Sequence, residues 1–178
     1  MAIPQFPDIP AWWHVCGAVL VIVLLLLNRR ARASNICVVC ITQLPGVALH
    51  ELAHLLAGIL FRAAPRGFSL LPERNRVDKS WTLGSVVFGR VTAFNALPIA
   101  LAPLGLMPLA FCVCRYWFTW LPPTLPNTLV LYAVVFILIY NALPSRQDLR
   151  VACNGKSVLL YGTVAAACGY LLWHKWIP

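Results

Sequence analysis

The feature that most limits what this chain can fold into is the length of its charge-poor apolar stretches. A bilayer's hydrocarbon core is about 30 Å thick and calls for roughly 20 apolar residues per helix. Residues 11–27, 36–61, 91–114, 128–144 and 157–173 are five segments of this character. They belong to a chain of 178 residues of which 61% are hydrophobic and 11% charged, against about 45–50% and about 25% in a soluble domain. The expected fold class is all-α, polytopic and membrane-embedded, with about five transmembrane helices.

The first stretch starts after Asp8 and ends on Asn28, Arg29, Arg30, Ala31 and Arg32. A cleaved leader has the opposite polarity, with basic residues first and a small-residue cut site last, so the segment is expected to be retained. The third stretch carries Asn95 and prolines at 98, 103 and 108, which a membrane helix tolerates by kinking where neighbours satisfy the freed backbone groups. Between the second and third stretches lies the main polar region, residues 62–90, with six of the fourteen basic residues. Its segments 67–71 and 82–88 alternate like two short strands of a hairpin. Neither a repeat nor a soluble module interrupts the pattern, so residues 1–178 read as one domain.

The net charge of +9 has no soluble basic face with interleaved aromatics to serve nucleic acid. Basic loops facing anionic lipid account for it better. The seven cysteines lie mostly in apolar segments and do not form a disulfide framework. Cys37 and Cys40 have C-x-x-C spacing, but with no second pair to complete a site they read as small packing residues.

The chemistry lies in His50-Glu51-Leu52-Ala53-His54, inside the second apolar stretch. At 3.6 residues per turn, His50 and His54 share one helix face and can reach one metal ion, while Glu51 sits beside that face to take a proton from a water the metal activates. Two histidines and a glutamate can also be packed by chance in a helix. Inside a membrane, however, an ionisable side chain is costly and is retained for function, and Glu51 is the sole acid of its stretch. Catalytic zinc usually takes three protein ligands. The metzincin continuation is absent, because Ala57 and Leu60 stand where it requires Gly and His. The candidates for a third ligand are Glu73, Asp78, Asp148, His14 and His174. One complete crossing separates the second and fourth stretches, which places Asp148, just past the fourth, on the side where His50 and His54 lie. The plain alternative for Asp148 is an interfacial aspartate paired with Arg146 or Arg150.

Residues 42–61 around His50-Glu51-x-x-His54, together with Asn141-Ala142-Leu143-Pro144-Ser145-Arg146-Gln147-Asp148, resemble the two signatures of the site-2 protease family of intramembrane zinc metalloproteases. The resemblance covers about residues 34–150, leaving segments 11–27 and 157–173 as additions, and includes no PDZ domain. It implies a metalloendopeptidase holding Zn2+ through His50, His54 and Asp148, with Glu51 catalytic and Asn141 binding the substrate backbone. The implied partner is a transmembrane or membrane-proximal protein. The family pattern has four residues between its Pro and Asp and a Gly afterwards; here there are three, followed by Leu149.

Two other readings carry the same motif. One is an inactive relative that binds membrane segments without cutting them. The other is a small helical membrane protein that holds a metal for transport or assembly, for which further polar residues along the spans would be needed. On the positive-inside rule, Arg29, Arg30, Arg32, Arg115 and Lys175 fall on one side, against the 62–90 loop with Arg146, Arg150 and Lys156 on the other. The expectation is a multi-pass protein of the cell (inner) membrane with its site towards the cytoplasm.

Overall fold

The computed structural model describes residues 8–74 and 81–176. Helix α1 spans Ala11–Arg32, about 33 Å at 1.5 Å per residue. It outlasts its apolar run because Arg29, Arg30 and Arg32 in the last turn favour the negative end of the helix dipole. After a short turn, the Asn35 side chain accepts a hydrogen bond from the Cys37 N–H and caps α2, Ile36–Leu60. The chain then turns sharply through Arg62 and Ala64, both at positive φ, with Ala63 wholly buried between them.

Strands β1 (Pro65–Arg74) and β2 (Trp81–Phe88) form an antiparallel pair, as the alternation of residues 67–71 and 82–88 anticipated. The hairpin lies along α2. Gly58 gives the room, since a Cβ there would run into the Phe88 ring. Past the hairpin, Thr92 and Asn95 form a reciprocal capping box that starts α3, Ala93–Ala100. Asn95 is 3% exposed and donates to the Phe61 and Arg90 carbonyls, so the asparagine of the third stretch serves to close the α2–hairpin–α3 junction.

The third stretch is not one helix. A 3-10 turn, Ala102–Gly105, separates α3 from α4, Leu106–Trp120, and the pair is bent by 46°. Pro103 within the turn has no N–H to continue the α-helical ladder. Thr124 caps α5, Leu125–Tyr140, and Ser145 caps the short α6, Arg146–Ala152. Helix α7, Gly155–Trp176, is held through its first two turns, where the Ser157 and Tyr161 hydroxyls donate to the Ala93 and Phe94 carbonyls.

Among the described residues three helices, α1, α2 and α7, are long and apolar enough to cross a membrane, and the bent α3–α4 pair makes a fourth if it is one span. The sixteen residues of α5 extend about 24 Å, short of the full hydrocarbon thickness. The interior is small. Leu106, Ala110, Leu138 and Ala142 form its centre, with Leu49, Val113 and Val134 packed around them. Large apolar side chains point outward instead, Leu159 at 70% and Leu171 at 67% exposure, an arrangement that water penalises and acyl chains do not. All seven cysteines are free, as their scatter suggested.

Candidate metal centre

Residues from four helices converge on one point. His50 and His54 project one turn apart from α2; α3 supplies the Ile99 carbonyl, the end of α5 the Asn141 carbonyl, and α6 the Asp148 carboxylate. His50 Nδ1 donates to the Asn141 carbonyl at 2.8 Å, and His54 Nδ1 donates to the Ile99 carbonyl at 2.8 Å. A carbonyl can only accept, so each Nδ1 carries a hydrogen and each neutral ring presents its lone pair at Nε2.

Those two Nε2 atoms lie 3.2 Å apart. Asp148 Oδ2 is 3.3 Å from His50 Nε2, and Asp148 Oδ1 is 3.2 Å from His54 Nε2. With neutral rings, lone pairs and a carboxylate face one another across this gap. Only a cation, whether a proton or a metal ion, relieves that repulsion. One ligand atom from each of the three side chains falls within 4.8 Å of the others, as holding a single metal ion requires.

Asp148 reaches the histidines because of its local sequence. Ser145-Arg146-Gln147-Asp148 is a capping box: the Asp148 N–H donates to Ser145 Oγ, and the Ser145 N–H donates to Asp148 Oδ2 at 2.7 Å. The carboxylate is thereby turned back across the start of α6 towards α2. Three residues after Pro144 suffice, and Asp148 pairs with the histidines rather than with Arg146 or Arg150. Burial opposes its charge, but when a proton sits on the facing imidazoles, hydrogen bonds from His50, His54 and Ser145 and the charge on His54 hold the carboxyl well below the usual carboxylate range.

The other candidates lie elsewhere. His14 pairs with the Tyr132 hydroxyl between α1 and α5, and His174 packs against Tyr170 near the end of α7. Asp78 is outside the described residues, as is the Glu73 side chain.

The centre opens into a cavity of about 1050 Å³ whose wall includes Glu51, Asn141 and β2 from Leu83 to Phe88. Gly84 in β2 has φ +77°, and a Cβ there would stand 2.7 Å from Val47 and 2.8 Å from the Glu51 side chain. The strand can run this close to the acid only through glycine. Asn141 contributes its carbonyl to His50 while its Nδ2 donates to the Ile137 carbonyl. Gly46 of α2 faces the Asn141 side chain where a Cβ would collide with it.

Of these, Ser145 was open to sequence reading through its S-x-x-D spacing, and Gly84 as an isolated glycine within a strand pattern. The Ile99 carbonyl and Gly46 carry no such signal. The charge count put Arg32 opposite Arg146 and Arg150, yet all three line this cavity. Helix α1 extends to Arg32 and ends beside α5, where the guanidinium lies over the Tyr140 ring at 5.5 Å. Comparison with protein-family models, curated proteins and solved structures gives no match.

Proposed function

We propose that this protein is an intramembrane zinc metalloendopeptidase, hydrolysing peptide bonds of transmembrane or membrane-proximal substrates. The observation that carries the reading is the convergence of two Nδ1-tethered histidines and one carboxylate beside Glu51. Zinc bonds of about 2.0–2.1 Å at tetrahedral angles put neighbouring ligand atoms roughly 3.3 Å apart. The two Nε2 atoms are 3.2 Å apart, near that value, and each lies 3.3 or 3.2 Å from a different oxygen of Asp148, with one ligand atom per residue falling within 4.8 Å of the others. Backbone carbonyls on both Nδ1 atoms are also the usual outer support of metal-binding imidazoles. The resemblance of His50-Glu51-x-x-His54 and Asn141 through Asp148 to the site-2 protease family points the same way.

Zinc in this place supplies Lewis acidity, polarising a peptide carbonyl and easing deprotonation of water. Glu51 takes the proton from the attacking water as its oxygen bonds to the carbonyl carbon, then delivers it to the nitrogen as the C–N bond breaks. A helical substrate hides its carbonyls, so the segment must first unwind. Strand β2, paired with β1 along one edge, has its other edge available to the unwound segment by strand addition. Asn141 at the cavity wall holds a substrate backbone group once its amide leaves Ile137. With Arg32 beside Arg146 and Arg150 on the cavity wall, the basic excess around the site grows, which favours a cytoplasmic-facing centre in a cell (inner) membrane.

The test is zinc-dependent cleavage of membrane-inserted polypeptides by the purified protein in nanodiscs. Cleavage that chelation stops and zinc restores supports the reading. Stoichiometric zinc without cleavage of any membrane polypeptide overturns it in favour of a metal-holding or segment-binding protein.

A further inference from the structure

The cavity wall carries three guanidinium-bearing residues, Arg32, Arg146 and Arg150. The chain has only five acids, Asp8, Glu51, Glu73, Asp78 and Asp148. Asp148 is engaged by His50 and His54, and Glu51 lies against Gly84; among the described residues no carboxylate pairs with any of the three arginines. Arg32 is drawn over the Tyr140 ring at 5.5 Å, which fixes its head beside the end of α5. Arg146 and Arg150 are one turn apart on α6, each two residues from Asp148, about 3 Å of helix rise from the metal-facing carboxylate. With a divalent ion at the centre offsetting Glu51 and Asp148, the three arginines leave the cavity net positive, and among the described residues none of them has a carboxylate partner.

We propose that the cavity selects substrate segments bearing an Asp or Glu within about four residues of the scissile bond, the carboxylate being received by Arg146, Arg150 and Arg32. This inference rests on the proteolytic reading and adds its substrate class. A substrate laid along β2 advances about 3.3 Å per residue, so a side chain up to four positions away lies within an arginine's reach of α6. Guanidinium forks match carboxylates in geometry as well as charge. An anionic lipid headgroup shares the charge, but these arginines line the cavity that holds Glu51 and the β2 edge, where a peptide segment binds.

The experiment measures binding separately from catalysis. The 178-residue chain carrying Glu51→Gln, loaded with zinc in phosphatidylcholine nanodiscs, is titrated with a fluorescent transmembrane peptide bearing one Glu near its centre and with the Gln counterpart. The expected result is about tenfold tighter binding of the Glu peptide. That preference should vanish in Arg32→Gln/Arg146→Gln/Arg150→Gln and persist in the triple Lys variant, which separates charge from folding. Equal binding of the two peptides, or a preference that survives the triple Gln change, overturns the proposal. So does a triple Gln variant that alters only partition into phosphatidylglycerol nanodiscs, since lipid is then the occupant. Failure of the wild type to cleave leaves a binding preference intact, so loss of the catalytic reading is distinguishable from loss of this one.

Discussion

His50 Nε2 and His54 Nε2 stand 3.2 Å apart because each ring is tethered at Nδ1 to a backbone carbonyl of a different helix, Asn141 at the end of α5 and Ile99 in α3. The spacing is therefore a tertiary property imposed on a single turn of α2. Rotating either ring away would leave a buried carbonyl without its donor, at about 1–3 kcal/mol. The tethers select the tautomer that turns both lone pairs inward, and the first three predictions follow from that geometry.

Loss of one ligand should deplete the metal without unfolding the protein. His54→Ala and Asp148→Asn are each expected to reduce bound zinc from about one per chain to well below half after dialysis against a weak chelator. Asn keeps an oxygen that can accept from the Ser145 N–H, so the α6 cap survives and only the charged ligand is lost. Elemental analysis alongside detergent-solubilised size exclusion checks this, with His174→Ala as a control that should retain zinc. Full zinc occupancy in both variants would remove the triad.

Glu51 is separate from the converging ligand atoms, and its replacement should part binding from chemistry. Glu51→Gln is expected to hold zinc like the wild type and to lose cleavage by about 10²-fold or more. Peptide turnover measured on zinc-replete protein gives the answer.

Ser145 orients Asp148 through the α6 capping box, so on the zinc reading it should bear on metal affinity. Ser145→Ala removes the Oγ that accepts the Asp148 N–H, costing about 1 kcal/mol of cap energy and lowering zinc affinity by about tenfold. Ser145→Thr keeps the hydroxyl and should restore affinity. A competition titration against a fluorescent zinc chelator reads both variants.

Gly84 fits its place for two reasons at once. Ala at φ +77° is strained, and its methyl would press on Val47 and Glu51. Gly84→Ala is expected to lower stability by about 1–3 kcal/mol and to reduce cleavage by displacing Glu51 while leaving zinc content unchanged. Thermal unfolding and elemental analysis on the same preparation separate the two effects. Gly67→Ala in β1 makes a suitable control, since a Cβ there meets Val87 only at ordinary contact distance.

Helix periodicity, apolar length and the His50-Glu51-x-x-His54 spacing are local properties, so the sequence determined the membrane class, the hairpin and the face of α2 that carries the chemistry. The interruption near Pro103 was visible as prolines, but whether the third stretch kinks or breaks depends on what packs beside it. Asn95, visible in the sequence only as a polar residue in an apolar stretch, closes a junction because the carbonyls it serves belong to Arg90 and to Phe61, the latter across the whole β1–β2 hairpin. The approach of Asp148 to His50 across 98 positions, the carbonyls that fix the imidazole tautomers, and the gathering of Arg32 with Arg146 and Arg150 belong to the tertiary structure alone. Each depends on how helices distant in sequence are placed against one another, and backbone carbonyls, which every residue possesses, leave no mark in a sequence of side chains.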